Sequence, residues 1–150
     1  MKLTSHPKII ISRTDNIGDV VLTLPMAAAL KKKYPDCQLL FLGQSYLKPL
    51  IDCCENIDEF LDWDAISKMP GNEGAKALKN TGAEVFIHVF PRPEIAKMAY
   101  KAGIKYRIGT SHRFYNWLNC NKRVDFTRKD SLLHEAQLNF ALLSPLGIAC

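Results

Sequence analysis

Apolar and polar residues fall into short blocks along this chain, and the blocks show two periods. Lys8-Ile9-Ile10-Ile11-Ser12 holds three β-branched residues in a row, the signature of a strand covered on both faces. Similar runs recur at 38–42, around 59–61, at 85–90 (Val-Phe-Ile-His-Val-Phe) and at 105–108. Between them the apolar residues suit helices packed on a sheet. The predicted helices cover 18–34, 46–54 (with Leu47, Leu50 and Ile51 on one face), 75–80, 94–102 and 131–146. Turn formers divide the blocks. Pro35-Asp36 ends the first helix, Met69-Pro70-Gly71-Asn72 marks a loop, and Pro91-Arg92-Pro93 breaks the fourth strand. Gly82 suits the left-handed position that follows a helix, and Gly103 closes the next one. Pro25 complicates the first helix: either the helix kinks there, or a short turn precedes a helix starting near Leu24. The last helix has Asp130 or Ser131 as a cap and Pro145 as an early stop. Residues 109–127 read as polar and irregular, with Trp117 and Leu118 tucking the segment onto the body.

Strands alternating with helices at this spacing predict βαβ units: an α/β, Rossmann-like fold with a mainly parallel sheet and helices on both faces. The 150 residues suffice for one domain with a sizeable core. No internal repeat, low-complexity tract or linker interrupts them. In open α/β sheets the ligand crevice lies outside the carboxyl ends of the strands. A ligand should therefore touch the turn Arg13-Thr14-Asp15-Asn16-Ile17-Gly18-Asp19. Arg92, just past the fourth strand, should overlook the same crevice.

Composition narrows the picture only a little. Apolar residues are 47% and charged residues 23%, ordinary for a globular protein. The net charge of +5 favours anionic partners weakly. No apolar run approaches bilayer length, and the run from Ile9 is too short for a signal peptide; a cytoplasmic protein is expected. The five cysteines are odd in number and form no Cys-x-x-Cys pair, which disfavours a disulfide framework or a zinc site. Buried or half-buried free thiols are expected. His134-Glu135 is followed by Leu138 where a zincin needs histidine. Lys31, Lys32 and Lys33 complement a helix dipole. His88, inside an apolar strand, reads as a satisfied core residue. Only Gly18 stands where a dinucleotide fold wants Gly-x-Gly-x-x-Gly, and there is no Gly-Lys-Ser/Thr. Nucleotide binding by this stretch is poorly supported.

The segment Arg13-Thr14-Asp15-Asn16-Ile17-Gly18-Asp19-Val20-Val21-Leu22-Thr23-Leu24-Pro25 resembles the first loop of the glycosyltransferase family 9 heptosyltransferases. Ala102-Gly103-Ile104-Lys105-Tyr106-Arg107-Ile108-Gly109 is similar to their segment entering the fifth strand. His134-Glu135-Ala136-Gln137-Leu138-Asn139-Phe140-Ala141-Leu142-Leu143-Ser144-Pro145-Leu146-Gly147 resembles the helix closing their N-terminal domain. The resemblance spans most of the chain but about half of the family's usual length. It implies the N-terminal, acceptor-side half of a two-domain GT-B type glycosyltransferase. The C-terminal domain, which holds most of the nucleotide-sugar in that family, would be absent from residues 1–150. The implied reaction moves a sugar, heptose from an ADP-activated donor, onto a lipid-linked lipopolysaccharide core acceptor. It proceeds with inversion, without a metal or other cofactor, and the 150-residue chain alone would be inactive. The implied location is the cytoplasm, with peripheral contact at the inner membrane; no nucleic acid is expected.

Asp19 is the sharpest candidate. Inverting transfer needs a carboxylate to take the acceptor's hydroxyl proton, and by resemblance Asp19 is that base. Spacing alone favours a helix cap, the flanking motif favours the base, and both roles coexist only if one oxygen stays free. A carboxylate at a helix N-terminus is held ionised by the dipole. Arg13, Thr14, Asn16 and Gly18 line the same turn, and the resemblance makes them acceptor contacts together with Arg92. Arg13 suits a phosphate or carboxylate, while Asp15 departs from the small uncharged residues common there. Asx bonding in a solvated turn explains Asp15 and Asn16 as well. His112, Arg113, Lys122, Arg123, Arg128 and Lys129, interleaved with Phe114, Tyr115 and Trp117, make 109–129 basic. Arg113, Lys122 and Arg123 suit an anionic glycolipid or membrane surface, though the pattern also fits single-stranded nucleic acid or a plain solvated loop. Two rivals stand beside the transferase: a non-catalytic binding module for an anionic ligand, and a receiver-like domain. Asp15 with Asp62 or Asp64 only loosely imitates the receiver's acidic site.

Overall fold

The isoleucine run Ile9, Ile10, Ile11 forms the centre of a parallel sheet in the computed structural model, which describes residues 1–126 and 134–149. Among the described residues six strands pair: β1 (Lys8–Ser12), β2 (Gln38–Gly43), β3 (Glu59–Asp62), β4 (Val85–His88), β5 (Tyr106–Thr110) and β6 (Lys122–Val124). Their order is β3-β2-β1-β4-β5-β6. Ile10 lies between Leu40 on β2 and Phe86 on β4. Successive side chains along a strand point to opposite faces, so one run feeds two cores. Ile9, Ile11, Leu39, Phe41, Val85 and Ile87 pack one face against Met26, Leu30 and Leu142. Ile10, Leu40, Leu42 and Phe86 pack the other against Trp63, Leu78 and Ile95. The predicted Rossmann-like sheet with helices on both faces is the observed fold.

The helices are α1 (Ile17–Val21), α2 (Leu24–Lys33), α3 (Lys48–Asp52), α4 (Trp63–Ser67), α5 (Glu73–Asn80), α6 (Pro93–Lys101), α7 (Phe114–Asn119) and α8 (Glu135–Ala141). Pro25 resolves the first ambiguity. It sits in the first turn of α2, where its missing N–H costs nothing, and α1 is a separate helix. A 3₁₀ turn (Ser45–Leu47) leads into α3. Gly82 and Gly103, after α5 and α6, take φ of 74° and 72°, as a helix-ending left-handed residue requires. The fourth strand stops at His88 rather than 90, because the N–H groups of Val89 and Phe90 both turn to the Ser12 carbonyl at 3.0 and 3.3 Å.

The irregular reading of 109–127 is corrected by α7 and β6. Trp117 and Leu118 do not tuck in; they are 58% and 68% exposed. A polar contact anchors the segment: the Asn116 amide donates to the Thr110 carbonyl at 2.9 Å. Residues 127–133, with the expected cap at Asp130 or Ser131 and with Arg128 and Lys129, lie outside the described residues, as does Cys150. The helix is seen from Glu135, where the His134 N–H donates to the Gln137 side chain at 3.0 Å. Pro145 falls in a closing 3₁₀ turn (Ser144–Leu146). Cys37 and Cys120 are buried and Cys54 is half-buried, but Cys53 is exposed, since it follows the solvent-facing end of α3. No helix among the described residues is long and apolar enough to cross a membrane.

Candidate functional site

Strand order reverses between β1 and β4, and such a switch point opens a crevice at the carboxyl ends of the strands. The chain leaving β1 there forms a tight polar turn into α1. Asn16, in extended conformation, is the N-cap: its Oδ1 accepts from the Asp19 N–H at 3.1 Å. The alternative reading of Asp19 as a cap is therefore corrected. Asp19 is the third residue of α1 instead, and its Oδ2 accepts from the Asn16 amide at 2.6 Å. Its Oδ1 lies 3.6 Å from Arg13 Nη2, beyond a good hydrogen bond. The carboxylate is thus held from one side, and its side chain is about a third exposed (32%).

Arg13 has a different place from the one its charge suggests. Its side chain is only 3% exposed. Nε and Nη2 donate to the two Asp15 oxygens at 2.8 and 3.0 Å, the bidentate geometry that makes such pairs strong. Nη1 donates to Glu135 Oε1 at 2.9 Å and reaches Asn139 Oδ1 at 3.3 Å, both on α8. Burial pulls the guanidinium pKa down, but the bonds and charges of Asp15 and Glu135 outweigh it and raise the pKa above its ordinary value. The expected carboxylate partner exists, but it belongs to the chain itself. Asp15, the residue out of place for a ligand loop, is explained by this pairing. The Tyr46 hydroxyl donates to the Asp15 carbonyl at 3.2 Å and ties the turn to the end of β2.

Arg92 stands before α6 and overlooks the same crevice. Its Nη1 donates to Thr14 Oγ1 at 3.4 Å, Nη2 lies 3.6 Å from Glu94, and the side chain remains 32% exposed. Gly18 lies open beside Asp19. A Cβ there would meet only the Asn16 Oδ1 at an ordinary 3.5 Å, so the fold itself does not demand glycine. A cleft of about 360 Å³ adjoins Arg92, lined also by Gln44, Trp63, Asp64, Ser67, Glu94 and Met98. Backbone and side-chain bonds from Ser45 hold the Asp64 carboxyl below its ordinary pKa.

Arg13, Thr14, Asn16, Gly18, Asp19 and Arg92 are thus brought together at the ends of β1 and β4. Arg113, Lys122 and Arg123 are not part of that group, nor do they act as one set. Lys122 lies over the Tyr106 ring at 6.0 Å, whereas Arg123 stacks on Trp117 at 4.3 Å. Adjacent residues of a strand face opposite ways. Sequence reasoning missed Glu135 and Asn139, which sit 122 and 126 positions from Arg13. The only available signal was the α8 segment as a block. His88 is also revised. It is buried beside Ser12 in register, yet neither its ring nitrogens nor the Ser12 hydroxyl finds a partner. Burial and then the nearby Arg107 charge lower its pKa to about 3. Among the described residues no cluster of three or more His, Cys, Asp or Glu could hold a metal ion.

No family model matches the chain. Over 133 residues it is 30% identical to a Haemophilus influenzae protein named "Putative glycosyltransferase", covering 88% of this chain and 38% of that one. The family 9 glycosyl transferase of Veillonella parvula superposes with a TM-score of 0.80 at 23% identity, over 99% of this chain and 44% of that one. The E. coli heptosyltransferase WaaC with ADP gives 0.76 at 14% identity, over 95% and 48%. E. coli ADP-heptose lps heptosyltransferase II gives 0.73 at 14% identity, over 91% and 39%. The chain therefore spans less than half the length of each of these proteins. The resemblance to glycosyltransferase family 9 holds, and the fold is heptosyltransferase-like, of the GT-B N-terminal type.

Proposed function

We propose that this chain, with its family 9 glycosyltransferase fold, is the acceptor-side half of a heptosyltransferase-like enzyme, and that Asp19 is its general base. The reaction joins an acceptor hydroxyl oxygen to the anomeric carbon of an activated sugar. The bond from that carbon to the nucleoside diphosphate breaks, and the hydroxyl proton passes to Asp19. Attack from the face opposite the leaving group inverts the anomeric centre. No step in this scheme calls on a metal or another cofactor. The donor is a nucleotide-sugar, with ADP-heptose favoured by the ligands named for two WaaC structures, ADP in one and ADP-2-deoxy-2-fluoro heptose in the other. It would be held by a second domain. The acceptor is a lipid-linked lipopolysaccharide core sugar, met in the cytoplasm at the inner face of the inner membrane.

The carrying observation is the Asp19 carboxylate. Asn16 fixes Oδ2, while Oδ1 has Arg13 no closer than 3.6 Å and the side chain is 32% exposed. That leaves one oxygen for a hydroxyl. Open space over Gly18 lets a sugar approach the backbone, and Arg92, half-exposed across the crevice, would grip the acceptor with Thr14. Arg13 acts one layer back, by holding the turn. The test is Asp19→Asn in a protein carrying both halves. A base that can no longer accept a proton should lower kcat by roughly 10²–10⁴-fold. Thermal stability should hardly change, because Asn16 and not Asp19 is the cap. Normal turnover by a stably folded variant would move the base elsewhere.

A further inference from the structure

The face of α7 exposes Phe114, Trp117 and Leu118, at 81%, 58% and 68%. They are spaced i, i+3 and i+4, so they share one side of the helix. The Trp117 ring is fixed: its N–H donates to the Ser111 carbonyl at 2.8 Å, and the Arg123 guanidinium stacks on it at 4.3 Å. The indole thus keeps its apolar edge outward with its polar atom satisfied. Gly109 lets α7 lie close on β5; a Cβ there would come within 2.8 Å of the Asn116 amide. α7 also packs beside α6, whose Tyr100 is exposed, while Lys97 and Lys101 line grooves shared with α5. Arg113, exposed, precedes the first turn of α7. The neighbouring carboxylates have partners within the chain: Asp125 lies 2.7 Å from the His112 ring, and Glu94 lies 3.6 Å from Arg92.

We propose that the α7 face docks on an anionic lipid surface, with Phe114, Trp117 and Leu118 entering the headgroup layer and Arg113 and Arg123 meeting its negative charge. Three large apolar side chains flanked by two arginines match the chemistry of an interfacial element. A second copy of this chain would bring the same cations face to face, which charge disfavours. α7 and α6 both begin just past the carboxyl ends of their strands, so docking here holds the crevice edge towards the surface. The inference deepens the acceptor reading above, since a lipid-linked acceptor lives at that surface, but it does not depend on Asp19.

The test is binding to phosphatidylglycerol-containing vesicles, against pure phosphatidylcholine. Two tryptophans report differently: Trp63 is 5% exposed, and Trp117 is open. Emission should shift to the blue only with the anionic vesicles, and a brominated lipid should quench it. Added salt should weaken binding. F114S/W117S/L118S should weaken it by about tenfold or more, with unchanged circular dichroism because all three side chains are exposed. Asp19→Asn should bind as the parent does, which separates failure of this inference from failure of the catalytic reading. Equal binding to both vesicles, or retained binding by the triple variant, overturns the proposal. So does a self-association that the triple variant abolishes. So does loss of vesicle binding in a protein carrying both halves, which would assign the face to interdomain contact.

Discussion

At the residue scale, charge misleads and position decides. Arg13 and Arg92 have the same side chain within one crevice, yet one is 3% exposed and the other 32%. The difference is the number of chain carboxylates in reach. Arg13 takes Asp15 and Glu135 at close range, and a buried cation needs such partners. Arg92 has Glu94 at 3.6 Å and Thr14 at 3.4 Å, which leaves it the better group to offer a ligand. The local part of this was legible: Arg13 to Asp19 are consecutive and share one turn. Glu135 and Asn139 were not, because no local pattern encodes a contact across the whole chain. His88 carries the residue-scale prediction. Its folded pKa is about 3 against 6.5 for the free side chain. Between those values the unfolded chain binds a proton that the folded chain refuses. Stability is therefore full above pH 6.5 and falls as pH drops towards 3, by about 1.4 kcal/mol per unit. Urea unfolding at pH 7 and pH 5 should show a loss of about 2 kcal/mol from this group. His88→Phe should flatten the profile over that interval; an unchanged pH slope would mean that His88 titrates normally.

At the element scale, length governs what a sequence reveals. The strands and the longer helices stand out because they repeat their period or hold an unbroken apolar run. α4 and α7 have five and six residues, under two turns, too few to display a period of 3.6. α4 has a different cause that is visible afterwards: the Asp62 carboxylate caps it by accepting from the Asp64 and Ala65 N–H groups. α7 is set by its fit to β5. At Gly109 a Cβ would stand 2.8 Å from Asn116 Nδ2 and 2.9 Å from Cys120 Sγ. Asn116 is wholly buried and Cys120 nearly so; burial also pushes the Cys120 thiol up to about 12. Neither atom is the loose end of a solvent-exposed chain. Gly109→Ala should therefore lift α7 off the sheet and destabilise the fold by about 1–3 kcal/mol, the usual effect of overpacking. Denaturant unfolding measures the loss, and amide exchange in 114–119 should rise more than in β1. A fully stable variant with protected α7 amides would show that the helix slides without cost.

At the scale of the whole molecule, the sheet is complete and the proposed chemistry is not. Both faces of β1, β2 and β4 are covered by apolar residues, and α8 returns to the β1 turn through Glu135 and Asn139. Every layer that this fold type needs to bury its central strands is present, so the 150 residues should unfold as one cooperative unit. The crevice is another matter. In the proposed reading Asp19, Thr14 and Arg92 would supply a base and acceptor contacts, but the turn lacks the glycine pattern and the Walker loop that cradle a nucleotide. The chain also spans only 38% to 48% of the relatives compared. A base without a bound donor has no anomeric carbon to direct a nucleophile at. Residues 1–150 alone should thus show a single sharp thermal transition and no transfer from ADP-heptose, while a protein carrying both halves turns over. Calorimetry and a direct assay of sugar transfer decide it. Cooperative unfolding with no transfer supports a self-sufficient acceptor half. Transfer at the rate of the longer protein would place the donor site within these residues and sink the two-domain reading.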